Sequence, residues 1–402
     1  MVNVVILGDG PEERAWASWF SARPEFEIVA AYPGLPEDPF FETPRAADLD
    51  AALATAGIDL VVVGGPLELR GEFLRRSAAE GHRIICLHPP GLDSEPYYQV
   101  SLSHAETGAI VVPDLPLRLH PGIDRLRQAI AEHSLGTFRG LRHESPAAPG
   151  EAGLIRGAFS RMVDPVRALL GEIEAVTASG DPPGEDPNVE LVVQLRTRGG
   201  RRAEVRTWSG PAEPARLTLN GSEGSLTLEY DPDFGQPARL IRRALNSKVA
   251  ETTELEPWDS HLAILQCLVP NAPHHPPGPF ASGPTLEDGT RSSEIAEGAA
   301  RSLRRGRTIE LSYDPISEEA TFKSIMTSAG CLLLLGSLAI LPIALAGPAL
   351  GFKETLYLAY LIPPLLLAFA GLQILRLGIR KDRTNPEKQN PDKPPTQTPP
   401  TP

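Results

Sequence analysis

The strongest constraint on this chain is an alternation of rhythm that repeats through its first third. Short apolar runs take turns with amphipathic stretches: VNVVIL, PEERAWASWFSA, FEIVAAY, RAADLDAALATAG, IDLVVV, ELRGEFLRRSAAEG and RIICL. The apolar runs suit strands buried on both faces, and the stretches between them keep a helical period. Strand and helix in turn imply a parallel sheet wrapped by helices. At 402 residues the chain has room for more than that one unit, because a single core seldom grows beyond roughly 250 residues before the chain splits. Two soluble domains with additional segments are expected.

Charge and cysteine content exclude several partners. A net charge of -13 argues against nucleic acid, whose phosphates would be repelled. Cys86, Cys267 and Cys331 are few, odd in number and far apart, which indicates neither a disulfide framework nor a structural zinc site and fits a reducing compartment. The adjacent His274 and His275 in PNAPHHPPGPF lack the helical spacing of a zinc pair and read as loop, so no metal is expected. The opening MVNVVILGDG has no basic n-region and reads as a buried strand entering a turn, not as a signal peptide.

Near the C-terminus two stretches carry no charge, Ser324 to Phe352 and Thr355 to Leu375. Each is apolar enough to span ~30 Å of hydrocarbon as a helix of about 20 residues, which predicts transmembrane helices over 324–346 and 355–375. Tyr357 and Tyr360 would sit at the interface, with kinks at Pro342, Pro363 and Pro364. Arg301, Arg304, Arg305, Arg307 and Lys323 precede the pair, Arg376, Arg380, Lys381 and Arg383 follow it, and the loop between has only Lys353. The positive-inside rule then predicts a multi-pass protein of the cell membrane, with its soluble part and tail in the cytoplasm and its arginine cluster near anionic membrane lipid. Residues 314–323 read as a linker, and 376–402, rich in proline and poor in apolar residues, as a disordered tail.

The first turn reads Gly8-Asp9-Gly10-Pro11-Glu12-Glu13, after a strand and before a helix, where dinucleotide folds set a glycine turn against a pyrophosphate. The stretch ending at Gly91, IDLVVVGGPLELRGEFLRRSAAEGHRIICLHPPG, resembles a segment of the glucose–fructose oxidoreductase, inositol dehydrogenase and MocA family (Gfo/Idh/MocA), with Pro66 and Pro89 in register. In PLRLHPGIDRLRQAIAEHSLGTFRGLRHE, Arg118 and Pro121 match that family's arginine-x-x-proline before a helix, and Gly136 its turn into a second domain. VDPVRALLGEIEAVTA, LTLNGSEGSLTLEY and LEDGTRSSEIAEGAARSLRRGRTIEL resemble, in order, its substrate-side helix, its glycine-turn hairpin and its closing helix and strand. The similarity covers residues 1–313.

This resemblance implies an α/β fold with a Rossmann domain over 1–118. A second α/β domain would follow over 119–313, its open sheet facing the cofactor and pairing copies into a homo-oligomer. It implies NAD or NADP, held about Gly8, Gly10, Gly65 and Pro66, and a sugar- or cyclitol-like alcohol as ligand. Taking hydride from an alcohol also requires a base for the hydroxyl proton. The family uses a lysine before proline and a downstream histidine; here those places hold His88 and Arg161, with Asp164 as the retained aspartate three residues on, and the histidine after threonine-proline reads Arg70.

Two readings stand side by side. In one, His88 is the base, Asp164 orients it and Arg161 stands beside them; in the other, His88 closes a strand end against Pro89. The cofactor turn divides in the same way. Glu13 takes the third glycine's place, and Pro33 falls where an acidic residue would bind ribose. Asp9, Glu12 and Glu13 crowd the helix N-terminus, satisfy it from within and repel a diphosphate, at about 4 kcal/mol per contact near a partly screened surface. Hence two functions: an NAD(P)-dependent oxidoreductase, or a catalytically degenerate ligand-binding or scaffold module.

Overall fold

The apolar runs of the first third become β1 (Val2–Leu7), β2 (Phe26–Tyr32), β3 (Leu60–Val63), β4 (Arg83–Leu87) and β5 (Ile110–Asp114), with helices α1 (Pro11–Ser21), α2 (Leu49–Leu53), α3 (Leu67–Ala79) and α4 (Glu95–Thr107) between them. The computed structural model describes residues 1–33, 44–147, 153–180, 189–211, 213–247, 249–268 and 283–312, with isolated positions beyond. The strands pair in parallel in the order β2-β1-β3-β4-β5.

A short turn, Pro116–Leu119, leads into α5 (Pro121–Ala131). Then come β6 (Phe138–Pro146), a wide π-wound turn (Leu154–Phe159), α6 (Ser160–Leu170), β7 (Ile173–Gly180), β8 (Glu190–Thr197) and β9 (Arg202–Trp208). β10 (Ala215–Gly221), β11 (Gly224–Tyr230), β12 (Arg239–Ala244), β13 (Glu251–Glu254), α7 (Ser260–Leu268), α8 (Leu286–Arg305) and β14 (Ile309–Glu310) complete the described part. The later strands form one nine-stranded sheet, β13-β12-β11-β10-β6-β9-β8-β7-β14.

Period-two alternation explains the layers. In β1, Val4 and Ile6 face a core with Trp16 and Phe20 of α1 and Ile264 and Leu265 of α7. Val5 and Leu7 face the opposite core, with Phe73 and Leu74 of α3 and Tyr97 and Val100 of α4. Each such side chain removed from water contributes roughly 1.5–3 kcal/mol. The nine-stranded sheet buries one face only, Leu141, Val193, Val205, Leu217 and Leu228 packing on α5, α6 and α8. Its other face, where the resemblance implies a second copy, carries ion pairs of its own, among them Arg206–Glu190, Arg196–Glu174 and Arg216–Glu229.

A chain of charges binds the helices behind the cleft. Arg118 grips Asp164 of α6 with two nitrogens, at 2.9 and 2.7 Å, and reaches Asp288 of α8 at 2.5 Å. Arg167 joins Asp288 at 3.1 Å and Glu172 at 2.9 Å, and Arg291 closes on Glu172 at 2.6 Å. Burial works against both signs, yet Asp164 and Asp288 hold Arg118 protonated. Against the same penalty, Arg118, the Thr285 backbone and Arg167 hold Asp288 down to about 2. Asp288 is also half of a reciprocal cap with Thr285 that starts α8.

The expected place in the cell membrane is corrected here. Among the described residues no helix is long and apolar enough to cross a membrane. Crossing takes about 20 consecutive apolar helical residues. The longest described helix, α8, meets the length but bears charges from Glu287 to Arg305. Residues 314–323, 324–346, 355–375 and 376–402 lie outside the described residues, apart from isolated positions, as do His274, His275 and Cys331.

The ion-pair chain yields a test. Asp164→Ala leaves a buried guanidinium with one carboxylate fewer, and urea unfolding is expected to show a loss of about 3 kcal/mol. A loss below about 0.5 kcal/mol would mean that Asp288 satisfies Arg118 alone.

Candidate functional site

Strand order reverses at β1: the chain goes to one side of it for β2 and to the other for β3. Ligands of open α/β sheets bind past the carboxyl ends of the strands at such a point. Here a cavity of about 860 Å³ opens there, walled by the Asp9–Glu13 turn, Gly65 and Pro66, Asp114 and, from the second sheet's side, Arg161, Asp164 and Tyr230. The two turns that meet at its base need glycine. Gly8 lies at φ +126° and Gly65 at φ +82°, and the Gly8 and Gly64 N–H groups donate to the carbonyls of Tyr32 and Leu7, both at 2.7 Å.

The space left by these glycines is filled by Glu13. Its side chain, 2% exposed, folds back from the first turn of α1 so that its carboxylate accepts the Gly65 N–H. A methyl group placed on Gly8, Gly10 or Gly64 would collide with the Glu13 side chain. The expected cofactor residues Gly8, Gly10, Gly65 and Pro66 are therefore brought together, around a carboxylate belonging to the chain itself. Pro33 follows β2 as expected and offers no acid for a ribose.

Next to this turn, Glu12 pairs with Arg161, which also donates from Nε to the His88 carbonyl at 2.9 Å. Arg161 owes its place to the π-wound turn that opens α6, a distortion often found at functional sites. Burial pushes the Glu12 carboxyl upward, but the Arg161 charge and hydrogen bond, with Arg70 behind, bring it below its ordinary value. Arg70, 7% exposed, directs its guanidinium to the carbonyls of Gly65 (2.8 Å) and Pro89 (2.9 Å), tying the ends of β3 and β4 together.

His88 stands elsewhere than the base reading requires. It is wholly buried, neither ring nitrogen has a hydrogen-bond partner among the described residues, and the ring lies parallel to Tyr97 at 6.0 Å. Burial first, and then Arg161 and Arg70, lower its pKa well below the usual histidine value, so the imidazole is neutral. It lies behind the cleft wall, which Pro89 forms instead. Asp164 does reach the cleft, yet both its oxygens are taken by Arg118. The structure thus brings Arg161 and Asp164 to one wall and leaves His88 outside it.

Two further groups face the cleft without having been expected. Asp114 ends β5 in register with Leu87, the residue before His88. It accepts the Trp16 indole N–H at 3.0 Å, and burial, with Glu12 adding to it, outweighs that bond and lifts its carboxyl to about 6. Its signal was present as an acid closing the apolar run IVVPD. Tyr230 ends β11, and its hydroxyl meets His143 Nε2 at 2.7 Å. The other nitrogen, Nδ1, faces the Met162 carbonyl at 2.9 Å and must donate to it, so the phenol gives its proton to Nε2 and keeps lone pairs for a ligand. Among the described residues no group of histidine, cysteine and carboxylate side chains is arranged to hold a metal ion.

Comparison with known proteins agrees with this geometry at the level of fold. No family model matches the sequence. Inositol 2-dehydrogenase of Rhizobium meliloti (strain 1021) is 27% identical over 203 residues, 45% of this chain and 60% of that protein, so the match spans less than two thirds of the relative's length. A myo-inositol dehydrogenase structure from Corynebacterium glutamicum ATCC 13032 superposes with a TM-score of 0.58, at 20% identity, over 78% of this chain and 100% of that one. An oxidoreductase from Agrobacterium radiobacter, solved in complex with NAD+, L-tartaric acid and magnesium, gives 0.61 at 16% identity, over 77% of this chain and 98% of that one. The chain has the Rossmann-like α/β fold of these structures in its two-domain layout.

Asp114 makes the site's pH dependence testable. The fold lifts its carboxyl from an ordinary 3.8 to about 6, so ionisation opposes folding; that cost is full above about pH 6 and fades as pH falls towards 4. Asp114→Asn escapes the cost and still accepts from Trp16. It is expected to be more stable than the parent at pH 8 by about 3 kcal/mol, with the gap closing near pH 4. Thermal melts giving the same gap at both pH values would show that Asp114 does not titrate in this way.

Proposed function

We propose that this chain is an oxidoreductase of the Gfo/Idh/MocA type whose cleft receives a sugar- or cyclitol-like polyol, with NAD or NADP as the cofactor class. The observation that carries the reading is the cleft itself, placed at the switch point of the parallel sheet and walled on its other side by elements of the nine-stranded half. The names of the similar proteins support it, being inositol dehydrogenases and an oxidoreductase solved with NAD+. Polar groups for hydroxyls are present in Asp114, Arg161 and Tyr230. Of these, Asp114 is the one suited to exchange a proton near neutral pH, since His88 is sealed away and Asp164 is ion-paired.

The glycine turn does not fit the dinucleotide as it stands. Where a diphosphate would accept backbone N–H groups, the Glu13 carboxylate already accepts that of Gly65, and a second anion there would meet it at contact distance. That misfit favours a second reading, a catalytically degenerate ligand-binding module on the same fold. Under it the described residues bind and orient a polyol, and no electron pair moves.

Calorimetric titration of the full-length chain with NADH and NADPH separates the two. Glu13→Gly removes the charge and reopens the turn, so it is expected to tighten dinucleotide binding by at least about tenfold over the parent. Micromolar binding by the parent itself would support the oxidoreductase reading and retire Glu13 as an obstacle. Failure of both forms to bind would leave the degenerate reading.

A further inference from the structure

We infer that an aromatic corner beside the cleft is a second-ring subsite, so that the ligand class is a glycoside or disaccharide and not a free monosaccharide; this rests on the polyol reading of the cleft. The corner is built by the turn Asp231–Gly235. There Phe234 is held at φ +56°, a left-handed conformation that a bulky side chain seldom adopts. Asp231 holds it so: its carbonyl accepts the Phe234 N–H at 2.9 Å, and its carboxylate accepts the Gly235 N–H at 3.0 Å. Such conformations persist where the surroundings over-determine them, and they gather at ligand clamps.

The result is a ring wall. The Phe234 ring lies parallel to that of Tyr230, with centroids 5.9 Å apart, and edge-on to Trp258 at 5.1 Å. Asp233 and Phe234 line both the cleft and an adjoining open hollow of about 340 Å³, whose other walls include Trp258 and His261. The cleft and this hollow meet at Asp233 and Phe234. The hollow has a firm base. Asp259 is taken by the Trp19 indole at 2.9 Å and by Arg23 at 2.8 Å, and His261 stands edge-on to Trp16 at 4.4 Å.

What stays unused there is what a sugar ring requires. The Trp258 indole N–H and the Asp233 carboxylate take part in no hydrogen bond among the described residues. A pyranose offers C–H faces that pack on aromatic rings and hydroxyls that seek a carboxylate acceptor and an N–H donor. An aliphatic tail would use the rings and strand the polar pair; a nucleic acid or other polyanion would meet Asp233 as a like charge.

The test compares ligands that differ by one ring. Full-length protein is titrated with glucose, methyl β-glucoside, phenyl β-glucoside and cellobiose, followed by calorimetry. The two-ring ligands are expected to bind at least about tenfold more tightly than the one-ring ligands. Trp258→Ala should remove that advantage while leaving glucose affinity unchanged. In the unaltered chain, the Trp258 indole N–H resonance should shift with phenyl β-glucoside and stay in place with glucose, a readout that does not depend on the variant folding. Binding of glucose with no gain from a second ring overturns the subsite alone. Binding of none of the four overturns both the subsite and the polyol reading.

Discussion

Whether a dinucleotide can seat on this protein passes through one contact, the Glu13 carboxylate on the Gly65 amide. A helix N-terminus beside a glycine turn is an anion site by construction, because its amides lack intrahelical partners and the helix dipole favours negative charge. Such a site must be filled by something. Here the chain fills it with its own third helical residue, and Gly8, Gly10 and Gly64 supply the room that this side chain takes. Those glycines do not thereby become evidence of a bound diphosphate; they are equally what a buried glutamate needs. The local chemistry is satisfied either way, which is why motif and fold do not decide whether a cofactor binds.

Three of the cleft's other charged groups are committed in a similar way. Arg70 donates to strand-end carbonyls, Asp164 is neutralised by Arg118, and Arg161 spans Glu12 and the His88 carbonyl. A buried ion pair adds little net stability, but an unpaired partner is costly, so these contacts fix geometry more than they add free energy. They hold α6 and α8 against the turn after β5 and so set the cleft's width. Asp114 and Tyr230 differ, because each keeps a polar atom that the wall does not use up.

Much of the fold could be read from the alternation of periods, since burial on both sheet faces dictates the apolar runs of β1, β3 and β4 whatever the rest of the chain does. The acidic crowding at α1 was legible too, from Asp9, Glu12 and Glu13 in one turn. What could not be read was the direction of a side chain. That Glu13 folds inward depends on Gly64 and Gly65, some fifty positions away. The ion-pair chain links residues 118, 164 and 288, so no local pattern announces it. For His88 the position before a proline put its backbone at the strand end, while only the fold shows its ring buried and parallel to Tyr97. The apolar stretches after residue 323 lie outside the described residues, apart from isolated positions.

Asp114 and the Phe234 turn suggest how a cleft of this kind keeps a purpose when its usual groups are replaced. Acid–base capacity needs a titratable group whose surroundings bring its pKa near the working pH, and burial at the end of β5 does this for an aspartate as well as a neighbouring strand would for a lysine or histidine. Recognition needs a rigid surface with few unmatched polar atoms, and the left-handed Phe234, braced by Asp231, provides one on the opposite wall. Neither feature depends on the glycine turn. Under the polyol reading, closing that turn with Glu13 leaves both features in place, so ligand binding and cofactor binding are separable questions for this cleft.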